Sequence, residues 1–108
     1  MSFADNLKHL PRISHLAEIH LLDGQGDLVA RIENKPGQAG SVAVYNHLGQ
    51  IYGAITPEAA VKGLEIYAEH TEDARQNPGK HPNIDRLLRL IAESATLRIK
   101  HVFATSSD

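Results

Sequence analysis

The chain has no cysteine and no tryptophan, and only 5% of its 108 residues are aromatic. The missing thiols exclude disulfides, thiolate zinc sites, iron–sulfur clusters and a cysteine nucleophile together. With so few aromatics, the ring platforms on which single-stranded nucleic acids stack are scarce. Basic residues are also in short supply: 11 Lys and Arg stand against 13 Asp and Glu, a formal net charge of -2, and they are scattered along the chain. A nucleic-acid partner is therefore not expected, because phosphate backbones are met by clustered positive charge. No apolar run approaches the roughly 20 residues that cross a bilayer. The opening residues carry Asp5 beside Lys8 without a continuous apolar stretch. Neither a membrane span nor a signal peptide is expected, and a bacterial cytoplasm is the default location.

Hydrophobic residues make up 42% of the chain, enough for one core but not two. We read a single domain over residues 1–108, with residues 1–2 and 104–108 fraying.

After Ser2, a plausible N-cap, the near-helical spacing of Phe3, Leu7 and Leu10 predicts a short helix that Pro11 stops. Residues 16–22 and 28–32 alternate apolar and polar, with Ala17, Ile19 and Leu21 on one face of the first run and Leu28, Ala30 and Ile32 on one face of the second. Asp23-Gly24-Gln25-Gly26 between them supplies glycines that tolerate positive φ, so the two runs read as a β-hairpin. A loop follows. Val44, Leu48, Ile51 and Tyr52 then recur at helical spacing up to Gly53, a C-terminal cap. Val42-Ala43-Val44-Tyr45 alone also fits a strand, but the longer stripe favours helix.

Thr56-Pro57-Glu58 reads as an N-cap, a first-turn proline and an acidic first turn. The helix it starts runs to Gln76, with Ala60, Leu64, Tyr67, Thr71 and Ala74 facing inward and Glu58, Lys62, Glu65, Glu69, Glu72 and Asp73 facing out. Asn77-Pro78-Gly79 ends it. Asn83 is placed to cap a last helix with the stripe Ile84, Leu87, Leu88, Ile91 and Ala95, and Leu97, Ile99, His101 and Phe103 alternate as a closing strand. On the strands, His20 is expected to face out with Glu18, and His101 to be hydrogen-bonded on the inner series. The fold class is α+β: a hairpin and a C-terminal strand form a small antiparallel sheet, with three to four helices on one face.

Chemistry has two candidate seats. The first is the loop of residues 34–41, where a glycine-containing turn leads into a helix and can aim unpaired backbone N–H groups at an anion. Asn34, Lys35, Gly37, Gly40 and Ser41 are its candidate residues. In the plainer reading Pro36 and Gly37 only turn the chain and Ser41 caps the helix. The segment has neither a P-loop ending nor the three-glycine dinucleotide fingerprint. The second seat gathers Glu69, His70, Asp73, His81 and Asp85: Glu69 and Asp73 lie one helical turn apart, and the turn at residues 77–83 can swing His81 back toward them. Such a group could provide an acid/base pair or hold a divalent metal, whereas the plainer reading is a solvated helix face. No serine lies in the glycine-flanked elbow of a hydrolase.

Residues 28–37, Leu-Val-Ala-Arg-Ile-Glu-Asn-Lys-Pro-Gly, followed by a helix and Gly53-Ala54-Ile55, resemble the opening of an ACT domain, a regulatory module that binds amino acids. The resemblance implies ligand near Asn34, Pro36 and Gly37, and a strand directly after Ile55. A broader likeness spans residues 31–45, 67–71 and 77–85, which are similar to a family of small uncharacterised bacterial proteins. It implies no activity. Three readings follow: a binding or interaction module for a small molecule or protein partner, its contact surface the loop 34–41 with an anionic or amino-acid-like ligand, the paired loop 77–83 or an exposed sheet face, with His70 and His81 as further candidate ligand contacts; an enzyme using Glu69, His70, Asp73 and His81; and a homodimer joined through the sheet edge or the leading helix. The identity of any cofactor is left open.

Overall fold

A computed structural model of the chain describes residues 1–105. Among these lie three strands, β1 (Leu16–Leu22), β2 (Leu28–Glu33) and β3 (Arg98–Phe103), and five helices, α1 (Phe3–Leu7), α2 (Ala39–Tyr52), α3 (Pro57–Tyr67), α4 (Glu69–Gln76) and α5 (Pro82–Glu93). The strands form one antiparallel sheet in the order β2-β1-β3, so the fold is the α+β class read from the sequence. No helix of the described residues is long and apolar enough to cross a membrane.

β1 is central because both of its edges are paired and its inner face is wholly apolar. Ile19 lies between Ile32 and His101, and Leu21 between Ala30 and Ile99. On the outer face Glu18 meets His20 and Arg31, and Arg31 Nε lies 2.7 Å from the Glu18 carboxylate. Leu28 departs from the alternation. The register shifts between Leu21 and Leu22, which pairs Leu28 with Leu22 and leaves Leu28 exposed rather than buried. Phe103 also leaves the inner series and is 63% exposed at the end of the strand, beyond the register shift between Leu16 and Glu18, with the tilted ring of His15 6.0 Å away.

α2 is the central helix, and Val42, Val44, Tyr45 and Leu48 on it are fully buried. The helix reading of residues 42–45 holds, since α2 spans them, but Ile51 and Tyr52 of the expected inward stripe are exposed, because near its C-terminal end the helix buries the face of Tyr45 and Leu48 instead. Gly53 closes α2 with φ 78°, donating its N–H to the Gly49 carbonyl. Asn46 faces the sheet, where the His101 ring donates to its carbonyl oxygen across 2.9 Å and ties β3 to α2. The Asn46 amide nitrogen has no acceptor among the described residues. α3 crosses α5 where Gly63 sits, and a Cβ there would stand 2.7 Å from Leu87 Cδ1 and 3.0 Å from Leu48 Cδ1. Glycine is therefore what lets the two helices approach this closely.

Several boundaries differ from the sequence reading. The Ser2 hydroxyl caps α1 at Asp5 N–H, and α1 stops at Leu7 rather than Leu10. Ala104 N–H bonds the His15 carbonyl, while residues 106–108 of the tail read as frayed lie outside the described residues. Where an ACT domain places a strand after Ile55, Thr56 caps α3, and Ile55 contributes only a single bridge to Leu97. The long helix to Gln76 is two helices. Ala68 breaks it with φ 53° and ψ -116°, and the Leu64 carbonyl near the break is taken up by the Thr71 hydroxyl at 2.6 Å.

An alanine in the positive-φ half of backbone space costs on the order of 1–3 kcal/mol, whereas a glycine there gives back about 0.5–1 kcal/mol as lost chain entropy. Ala68→Gly should therefore stabilise the fold by about 1 kcal/mol, read as a higher urea midpoint at unchanged slope.

Candidate functional site

The two loops singled out in the sequence meet. Residues 37–41 and 80–84, with Arg86, line one cavity of about 700 Å³, and Phe3 and Leu7 of α1, Arg31 of β2, and Tyr67 and His70 beside the α3–α4 break complete its wall. The first turn of α2 and the first turn of α5 thus face the same space.

Both helices begin without a side-chain cap. Gln38 precedes α2 and His81 precedes α5, and neither bonds its own helix through its side chain, in contrast to Ser2 and Thr56, which cap α1 and α3. Ser41 and Asn83, which the sequence suggested as caps, lie inside the first turns instead. Ser41 Oγ lies 2.6 Å from the Tyr67 hydroxyl, and the Asn83 side-chain oxygen accepts from Arg86 at 2.9 Å. Ala39 and Val42 N–H groups find carbonyls in the turn, and Ile84 and Asp85 share the His81 carbonyl. The N–H groups of Gly40, Ser41 and Asn83 have no acceptor among the described residues. Open N–H groups at a helix start carry the positive end of the helix dipole.

A phenol joins the two starts. Tyr45, on the second turn of α2, donates its hydroxyl to the Asn83 carbonyl and accepts from Arg86 at 3.1 Å. Burial pushes the Tyr45 phenol up to about 12 against the opposing pull of Arg86, so it stays neutral and can donate. The guanidinium also lies 5.7 Å from the Tyr45 ring centroid. Arg86 has no carboxylate within ion-pair distance among the described residues. The other two cations of the wall are neutralised from outside, Arg31 by Glu18 and Lys80 by Asp73 at 2.9 Å. None of the described side chains lining the cavity is a carboxylate.

Of the residues named from sequence, Gly37, Gly40, Ser41, His70 and His81 reach the cavity wall. Asn34 does not: its side-chain amide donates to the carbonyls of Ile13 and Leu16 and fastens the entry to β1. Lys35 is exposed and 3.8 Å from Glu33. In the second cluster, the turn does swing His81 back, and its Nε2 lies 2.7 Å from Asp73 Oδ2. His81 first and Lys80 second hold the Asp73 carboxyl down at about 2. An ionised carboxylate can only accept, so Nε2 carries a proton and Nδ1 is the nitrogen this bond leaves free. Glu69 stays apart and accepts the Phe3 N–H at 2.9 Å, while Asp85 accepts from Gly79 N–H. No three His, Asp or Glu side chains among the described residues are grouped to hold a metal.

Sequence reasoning missed Phe3, Tyr45, Tyr67 and Arg86 as parts of this site, and took Asn83, at the end of the second loop, for a helix cap. Arg86 lies off the apolar stripe of α5 and reads simply as a surface residue. Tyr45 and Tyr67 sit on apolar stripes and read simply as core.

Fold and site together define a small α+β domain whose helix starts and one unneutralised arginine face a ring-lined cavity. The chain belongs to the bacterial family described as "Uncharacterized protein conserved in bacteria (DUF2322)", whose model matches residues 3–101 and so spans every residue of the cavity wall. No curated protein and no solved structure matches the chain.

The folded Asp73 carboxyl titrates at about 2 against an ordinary 3.8. Its folded value is depressed, so its stabilisation is complete above about pH 4 and is lost as pH falls from 4 toward 2. Thermal unfolding of Asp73→Asn should lie below wild type at neutral pH, with the two curves converging over that acid window. A constant offset down to pH 2 would contradict this assignment.

Proposed function

We propose that the protein is a small binding module whose cavity takes a small anionic ligand. The observation that carries this reading is Arg86: a part-buried cation on the cavity wall, held by Tyr45 and Asn83 and left without a carboxylate among the described residues. Its remaining N–H donors suit the paired oxygens of a carboxylate or phosphate. The open N–H groups of Gly40, Ser41 and Asn83 add donors of the same sign from two helix starts, and the absence of a carboxylate in the described lining removes the repulsion an anion would meet. This shifts the binding seat from the whole 34–41 loop to its second half together with the start of α5.

Inorganic phosphate and acetate serve as probes, with glycerol as a neutral control. Saturable thermal stabilisation is expected with an anion and not with glycerol. Arg86→Gln should weaken anion binding by about 10- to 100-fold, the loss of about 1.5–3 kcal/mol of charge-assisted hydrogen bonding. Equal stabilisation of wild type and variant, or none in wild type, would sink the reading.

A second reading is favoured by the 2.7 Å contact of Asp73 with His81. A carboxylate that fixes the tautomer and orientation of an imidazole on a cavity wall is the arrangement of a general base. If the bound anion reacts, His81 is the group that moves the proton. Turnover of p-nitrophenyl phosphate or p-nitrophenyl acetate, reduced at least about 100-fold by His81→Ala, would establish it, and rates no higher in wild type than in His81→Ala would dismiss it for these ester classes.

A further inference from the structure

An oxyanion bound at Arg86 would fill only a small part of a cavity of about 700 Å³, a size that matches an organic ligand of drug or cofactor dimensions. The chemistry of the remaining space is set by rings. Phe3 stacks on Tyr67 with centroids 5.1 Å apart and 26° between planes. It also meets His70 edge-on at 5.2 Å and 84°, and His70 lies 5.6 Å from His81. Each separation falls within the range of favourable aromatic pairs. The row begins at Tyr67, whose hydroxyl contacts Ser41 in the first turn of α2. It ends at His81, immediately before α5. Both of its ends therefore abut the anion-binding groups.

Three of these rings are unfinished contacts. Phe3, His70 and His81 are only half-buried, while Tyr67 beneath them is buried, and that burial drives its phenol far above the ordinary value. Phe3 belongs to a helix with no buried residue. Its ring is nevertheless seated with care: a Cβ at Gly40 would stand 3.1 Å from Phe3 Cζ, and the Phe3 N–H is fixed by Glu69.

We propose that the ligand is a planar aromatic ring bearing an oxyanion, its charged group on Arg86 and its ring against Phe3, and that Phe3 is the specificity-determining residue. The proposal rests on the anion-binding reading above. A flat ring adds an offset or edge-on partner to a row of rings, where an aliphatic body of equal area would gain only its burial.

Titration calorimetry with phenyl phosphate and methyl phosphate separates the two ideas, with benzoate and acetate as the carboxylate pair. Wild type should bind the aryl member of at least one pair about tenfold or more tightly than the methyl member. Phe3→Leu keeps an apolar side chain but not the ring; it should lose most of that preference, the aryl member losing about tenfold more affinity than its methyl partner. Arg86→Gln should weaken both members of the pair alike. Independently of any variant, the aryl ligand should shift the ring C–H proton resonances of His70 and His81 by ring current, and the methyl ligand should not. Equal affinity within both pairs, or an aryl preference that survives Phe3→Leu, overturns the inference even where both ligands still depend on Arg86. Failure of all four probes to bind removes the anion-binding reading, and the inference with it.

Discussion

The site depends on one buried hydroxyl. Tyr45 lies on the central helix with no exposed surface, and a phenol in that position must find partners or carry the full cost of lost hydration. It finds two, the carbonyl of Asn83 and the guanidinium of Arg86. Both belong to the first turns of α5, so satisfying one hydroxyl fixes where α5 begins relative to α2. It also brings the two helix starts together and stands Arg86 on the cavity wall. An apolar ring of the same shape would fill the space but leave the Asn83 carbonyl without that donor, a cost of about 1–3 kcal/mol.

The positive character of the cavity follows from where the acids stand. Glu18, Glu69 and Asp73 all lie close to it, and each is engaged from outside the lining. Glu18 holds Arg31 on the outer sheet face, Glu69 holds the Phe3 N–H, and Asp73 holds His81 and Lys80. The carboxyls of all three are pulled below their ordinary values by these same donors. A chain of net charge -2 can thus present a cavity whose described lining has no anion, because local placement and not the sum decides the field there.

Much of the fold is legible in the sequence because its signals are local. Alternation in residues 16–22 and 28–32, separated by a glycine turn, needs only neighbours to be read, as does the helical period of α2, although which of its apolar residues turn inward does not: Ile51 and Tyr52 are exposed while Val42 and Tyr45 are buried. The site is another matter. Gly40, Ser41, His70 and His81 could be named because loop glycines and histidines draw attention, but Tyr45, Tyr67 and Arg86 acquire their roles only through partners 26 to 41 residues away. Asn34 illustrates the converse. Its place after a strand and before Pro-Gly suggested a ligand contact, yet its amide is consumed by the Ile13 and Leu16 carbonyls. A side chain that can serve a ligand can equally satisfy buried backbone, and only tertiary structure distinguishes the two.

The break at Ala68 is spanned by the hydroxyl of one residue, Thr71. Thr71 sits on the inward stripe between Tyr67 and Ala74, where a hydroxyl has no solvent to bond. In an unbroken helix it could bond back only to a carbonyl three or four residues earlier; here it reaches the Leu64 carbonyl, seven residues back, which it shares with the long 3.3 Å bond from Ala68 N–H. The break gives α4 a direction of its own, and α4 carries the groups that set the site: Glu69 anchors the Phe3 backbone, His70 stands in the ring row, and Asp73 orients His81. The strained alanine at residue 68 and the position of the aromatic wall are in this way parts of one arrangement.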